Sequence, residues 1–267
     1  VIVCHVEGDG LGHLTRVRAY LHTLRPAGPV IYRTSSPFAA DRRVVGPARV
    51  ERDFPAGSVD EFVVDAFPAG RHGELTAADA PPAARTVHLA RLLRWDVYRE
   101  RLPADPPRFD RTYVLEDLHP DHLAYLRSVS AELRPLTLVD PPAAPPAEPV
   151  TGWLIVHSGP DSELLHLVDY ARETAAMEGV RPPMTLVAPR RPDGLPAGIA
   201  YRDDYPAAPL AASADRVVTA AGFNAVRQFA PLRERHRMLP FPRALDDQFA
   251  RAARARQPRS RGSTSVE

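Results

Sequence analysis

The run Gly8-Asp9-Gly10-Leu11-Gly12-His13 places an imidazole directly after a glycine-rich turn, with Arg16 one helical turn further on. A histidine has the pKa to take a proton from a hydroxyl or a water at neutral pH, and glycines let a ligand approach backbone N–H groups closely. The same residues also serve in ordinary helix capping, so the run alone does not decide. A second constellation, Ala220-Ala221-Gly222-Phe223-Asn224-Ala225-Val226, follows an apolar strand pattern and opens a helix, which is a natural seat for a diphosphate. Ser158-Gly159 offers a similar turn after another strand. Either loop is also plain strand-to-helix punctuation. Third, Asp247-Gln248 sets a carboxylate beside an amide at a helix start, a pairing suited to vicinal sugar hydroxyls, while Asp246 reads as an acidic first-turn residue.

Composition removes several alternatives. All 34 basic side chains are arginines, which excludes Schiff-base chemistry and a phosphate-loop lysine. The 30 prolines and abundant alanine match the coding bias of a GC-rich genome. Formal net charge is +1, so no global field draws the protein to nucleic acid or an anionic membrane. The single Cys4 has no intramolecular partner, which points to a reducing compartment and a cytoplasmic location. No apolar stretch nears the ~20 residues of a membrane span, and no basic region precedes a hydrophobic block at the N-terminus. The chain opens on Val1 rather than methionine, which suggests that a few residues have been removed. His5, Glu7, Asp9 and His13 match no zinc spacing, so no metal site is expected. The glycines are offset from the dinucleotide fingerprint and no acidic residue closes the second strand, which disfavours NAD.

These residues need an α/β frame to hold them. Strands are expected at 1–6, 30–34, 61–65, 112–116, 135–139, 153–157, 184–188, 200–202, 216–219 and 237–241. Helices are expected after Gly12, after Ser35-Ser36-Pro37, and at 85–101, 120–133, 163–177, 224–229 and 246–256. Such alternation implies a parallel sheet in each half. The organisation is an N-terminal Rossmann-like domain over 1–140, a proline-rich linker over 141–149, a C-terminal Rossmann-like domain over 150–256, and a disordered polar tail over 257–267. Trp95 and Tyr98 read as helix packing, and Glu116, Asp117 and His119 as a polar cluster after a strand that could face the cleft.

Taken together, Gly10, Gly12, His13 and Arg16, then Gly222-Phe223-Asn224, then Leu239-Pro240-Phe241, then Asp247-Gln248 resemble the GT-B glycosyltransferase superfamily in kind and order. Its branches include the N-acetylglucosaminyltransferase that makes lipid II, natural-product glycosyltransferases and the nucleotide-sugar hydrolase of pseudaminic acid synthesis. The resemblance implies two Rossmann-like domains whose parallel sheets face an interdomain cleft, with His13 as the base for an acceptor hydroxyl, or for water in the hydrolase branch. Donor-binding positions would be Gly12, Ser158, Gly159, Gly222, Phe223, Asn224, Gln228, Asp247 and Gln248, with Arg190 or Arg243 as donor-site cations. Acceptor-side positions would be Asp9, Arg16, Glu116, Asp117 and His119. The substrates implied are a UDP- or dTDP-linked sugar and a small-molecule or lipid-linked acceptor, with no cofactor and no metal. Three departures stand out. Gln228 replaces a glutamate that binds ribose in many relatives, Ala221 replaces a second glycine, and about 118 residues from Val150 leave little room for a last helix crossing back to the first domain. Transfer, hydrolysis and a binding role without catalysis are the three readings carried forward.

Overall fold

The computed structural model describes residues 1–257; the tail assigned to 257–267 lies outside them from residue 258 onward. In chain order the elements are β1 (Ile2–His5), α1 (Leu11–Leu24), β2 (Val30–Arg33), α2 (Arg42–Val45), β3 (Arg49–Glu51), β4 (Val59–Asp65), β5 (Ala83–Ala90), α3 (Trp95–Tyr98), β6 (Phe109–Val114), α4 (Pro120–Val129) and β7 (Ser130–Pro135). There follow β8 (Trp153–Val156), α5 (Asp161–Met177), β9 (Met184–Val187), β10 (Ile199–Arg202), β11 (Arg216–Ala220), α6 (Phe223–Gln228), β12 (His236–Leu239) and α7 (Gln248–Arg256). Short 3₁₀ turns occupy Arg99–Arg101, Ala208–Ala212 and Ala230–Leu232.

Two all-parallel sheets result, one in the order β3-β2-β1-β4-β5-β6-β7 and one in the order β10-β9-β8-β11-β12. Strand side chains alternate between faces, so each sheet carries a core on both sides. Ile2 and Cys4 pack with Leu14, Val17 and Tyr20 of α1, while Val3 packs with Ile31, Phe62 and Phe109. In the second sheet Ile155 meets Leu164, Leu167 and Val168 of α5, and Leu154 meets Val187, Val217 and Phe229. In each sheet the order reverses between two neighbouring strands, β1 with β4 and β8 with β11, and at such a switch point the loops beyond the carboxyl ends diverge and leave a crevice.

The helix expected over 85–101 is instead the central strand β5 followed by one turn of helix. Thr86-Val87-His88-Leu89-Ala90 bonds to β4 on one side and β6 on the other, and its last four residues are buried. A strand covered on both faces lacks alternation and reads like a buried helix. The strand expected at 135–139 is displaced to Ser130–Pro135, because α4 ends at Val129 and passes into β7 without a loop. After Pro37 only turns form before α2, whose first residues are capped by Asp41 accepting from the Arg43 N–H at 2.9 Å. Residues 141–149 carry no helix or strand. Trp95 and Tyr98 are buried, as the packing reading required.

Candidate active site

His13 sits in the first turn of α1, just past the carboxyl end of β1. The neighbouring strand β4 ends at Asp65, so the switch point brings an imidazole and a carboxylate together across 52 residues of chain. Nδ1 of His13 lies 2.7 Å from Asp65 Oδ2. Arg16 donates to the same carboxylate from Nε (2.6 Å to Oδ1) and Nη2 (2.6 Å to Oδ2). Because Nδ1 faces a carboxylate, the hydrogen-bond network assigns the proton to Nδ1 and leaves Nε2 as the acceptor. The 3.0 Å approach of Arg16 Nη2 to Nδ1 is then two donors converging on one carboxylate oxygen.

Burial governs the protonation of this group. It lowers the His13 pKa below the ordinary 6.5; the Asp65 hydrogen bond opposes the shift and the Arg16 charge adds to it. At Asp65 burial acts upward, but the Arg16 guanidinium and the His13 bond outweigh it and hold the carboxyl well below its ordinary range. The imidazole is therefore neutral and oriented at physiological pH, with a fixed negative charge behind it and a guanidinium neutralising that charge. Phe67 stacks on the ring at 5.6 Å, and Gly8 makes room for it: a Cβ at position 8 would lie 2.3 Å from His13 Cδ2. Gly8 thus clears space for the side chain of the candidate base.

Opposite His13 stands the second sheet's switch point. Gly222, in extended backbone conformation, precedes α6, whose first-turn N–H groups have no helical acceptors, and a Cβ there would meet nothing within 4 Å. Beside it Ser158 and Gly159 follow β8, where His157 Nε2 lies 2.8 Å from Glu163 Oε2. Arg243 grips the same glutamate from both terminal nitrogens, and a Cβ at Gly159 would lie 2.2 Å from His157 Nε2. The space between the two switch points is a cleft of about 510 Å³. Its lining includes Asp9, Gly12, His13, Arg16, Ser158, Gly159, Gly222, Phe223, Asn224, Gln228, Arg243 and Gln248.

Several expected site residues have other duties. Asp247 does not line the cleft; it caps α7 by accepting from the Ala250 N–H at 2.9 Å. Gln248 is buried with Oε1 accepting from the Phe241 N–H at 3.0 Å. Asp246, expected to be the first-turn residue, instead lines the cleft and pairs with Arg91 and with Arg251, whose guanidinium also holds Glu116 at 2.8 Å. Asn224 donates across the seam to the Gly12 carbonyl at 2.7 Å, and Gln228 donates to Asp140 at 3.1 Å. On the first lobe Arg16 borders the cleft but is 2% exposed, with its guanidinium committed to Asp65. Glu116, Asp117 and His119 lie off the cleft: Glu116 is tied to Arg251 and the Leu92 N–H, the Asp117 carbonyl accepts from Arg254, and His119 caps α4. Arg190 pairs with Asp161 and also lies off the lining. Short polar side chains at element ends satisfy local backbone before they serve a ligand, which is why these positions look alike in a sequence.

Asp65 was not among the expected site residues. Its signal was a carboxylate at the last position of an apolar β-branched run, Phe62-Val63-Val64-Asp65, in a stretch that is otherwise irregular. Among the described residues no group of three or more His, Cys, Asp or Glu is arranged to hold a metal ion, and no helix is long and apolar enough to cross a membrane.

No protein-family model matches the chain, and no curated protein matches it. Solved structures do. The glycosyltransferase of kitacinnamycin is similar over 95% of this chain and 83% of its own, with a TM-score of 0.52 at 15% sequence identity. The glycosyltransferase SnogD from Streptomyces nogalater is similar over 90% of this chain and 82% of its own, with a TM-score of 0.49 at 16% identity. At 15% identity the likeness to the kitacinnamycin protein speaks to architecture alone, and it agrees with the two parallel sheets and the cleft between them: the chain has a GT-B fold.

Proposed function

We propose that the protein transfers a glycosyl group from a nucleotide sugar, UDP- or dTDP-linked, to a hydroxyl acceptor with inversion at the anomeric carbon. The observation that carries this reading is the oriented His13–Asp65 pair, directed at a cleft whose far wall is the start of α6. In the reaction Nε2 of His13 takes the proton of the acceptor hydroxyl while that oxygen attacks the anomeric carbon from the face opposite the diphosphate. The bond from the anomeric carbon to the diphosphate breaks, and its electron pair leaves on the phosphate oxygen. Asp65 stabilises the imidazolium that forms, and the free N–H groups near Gly222 meet the charge of the leaving group without a metal.

The direct test is incubation with a panel of nucleotide sugars, with and without hydroxyl acceptors, followed by anomeric assignment of the product by NMR. Acceptor-dependent product of inverted configuration supports transfer. Free sugar released at a catalytic rate without acceptor would instead make water the acceptor. Nucleotide-sugar binding with no turnover across the panel would leave only a binding role.

A further inference from the structure

The arginines lining the cleft differ in how they are neutralised. Arg16 faces Asp65, Arg43 faces Asp41 and Asp203, Arg91 faces Asp246, and Arg243 faces Glu163. Arg101 lines the same cleft with no carboxylate within ion-pair distance among the described residues. Its Nη1 donates to the Arg71 carbonyl at 3.1 Å and approaches His72 Nδ1 at 3.4 Å, which leaves donors of its fork unused. Arg71 pairs with Asp9 at 2.6 Å, but the Asp9 side chain is 81% exposed and that of Arg71 34%, so solvent screens the pair and a ligand carboxylate can compete for Arg71.

The loop carrying Arg71 and His72 is built to hold them. Gly70 and Gly73 have φ of +79° and +82°, and a Cβ on Gly73 would lie 1.8 Å from the Arg101 carbonyl oxygen. The Glu74 carboxylate, on the same loop, accepts from the Arg71 and His72 N–H groups and does not line the cleft. The cluster shares the cleft with the candidate base and is linked to it through the chain on two sides. Asp9 belongs to the turn that leads into His13, and Phe67, which stacks on His13, begins the loop.

We propose that this end of the cleft is a subsite for a carboxylate on the acceptor molecule, held by Arg101 with support from Arg71 and His72. The inference rests on the transfer reading for what it says about the acceptor, while the anion subsite itself is a matter of binding. One guanidinium without a counter-charge matches a monoanion, whereas a dianionic phosphate would leave a charge unmatched. The planar fork of Arg101 suits the two oxygens of a carboxylate. Because His13 and Arg101 line the same cleft, the hydroxyl to be glycosylated and the carboxylate belong to one acceptor molecule.

The test compares 4-hydroxybenzoate with 4-hydroxybenzyl alcohol, which keep the hydroxyl and exchange carboxylate for a neutral group, by isothermal titration of the full chain at low salt. The carboxylate should bind roughly tenfold more tightly to the wild type, R101Q should abolish the preference, and R101K should restore part of it. If R101Q fails to fold, as judged by circular dichroism, R71Q takes its place and should reduce the preference severalfold. Equal affinity of the two compounds for the wild type, or a preference that survives in the folded variant, overturns the subsite. Turnover of both compounds with a nucleotide sugar is followed in parallel. Its complete absence would count against transfer while the affinity ratio still decides the subsite, and equal turnover with equal affinity would sink the subsite and leave transfer standing.

Discussion

His13 and Asp65, 52 residues apart in the chain, share a 2.7 Å hydrogen bond because the first turn of α1, which follows β1, and the end of β4 meet at the β1–β4 switch point. If this pair supplies the base, H13A should lower kcat by about 10²- to 10⁴-fold with nucleotide affinity nearly unchanged. D65N, which loses the fixed charge and frees the ring to choose the wrong tautomer, should fall in the same range. Steady-state kinetics beside nucleotide titration separates the two effects; full turnover in either variant removes the assignment.

Arg16 sets the working pH of that base. Burial and the Arg16 charge both lower the His13 pKa, so the acidic limb of the rate profile should lie below 6.5. In R16Q the Asp65 charge is no longer neutralised, which favours the imidazolium, so the limb should move to higher pH. Removing one member of a buried pair also costs about 3 kcal/mol of stability, visible in urea unfolding. A profile of kcat/KM against pH that is identical in the two proteins would show that Arg16 acts on structure alone.

Gly8 is a steric condition for the imidazole. G8A would put a Cβ 2.3 Å from His13 Cδ2, and the ring must turn away from Asp65 to escape it. A displaced base should cost on the order of 10²-fold in kcat while the far-ultraviolet circular dichroism stays unchanged. Wild-type turnover in G8A would mean that the ring is not held in this place.

Acid should destabilise the protein before its carboxylates protonate. Burial lowers His5, His88 and His236 to about 4 and His122 to about 3. Between the unfolded value near 6.5 and these folded values only the unfolded chain binds the proton. Stability therefore rises with pH across that window, by about 1.4 kcal/mol per pH unit for each histidine, and is lost as pH falls through it. His122 stacks on Trp95 at 4.4 Å with neither ring nitrogen hydrogen-bonded, so H122F should keep the packing and remove one histidine's share of the slope. Urea unfolding at pH 7, 6 and 5 reads it directly, and an unaltered slope in H122F would refute the assignment.

The frame and half of the site are legible in the chain because they rest on local patterns. Val1 to Val6 breaking into glycines marks β1 and the turn before His13, and the Gly222 turn is marked in the same way. What escapes is long-range pairing. Asp65 has no local feature that tells it from any strand-end carboxylate, and only the strand order β1-β4 brings it to His13. Among Asp246, Asp247 and Gln248, adjacent polar residues at one helix start divide into an ion-pair partner across the seam, a cap and a buried hydrogen bond, a division set by the residue at which the helix begins. Within β5 a doubly buried strand hides its period, which cost the helix expected over 85–101.

Leu245 is buried among Ala66, Phe67, Leu93, Trp95 and Tyr98, and the Arg94 N–H donates to the Leu245 carbonyl at 3.0 Å. Phe223 likewise belongs to the apolar cluster beneath α1. Each half of the polypeptide therefore completes the other's interior, and cutting the backbone within the proline-rich stretch would yield fragments that each expose an oily socket or plug. Such fragments should recover the native shape only when mixed, so the seam that shapes the cleft also makes the two lobes together the smallest unit able to stand alone.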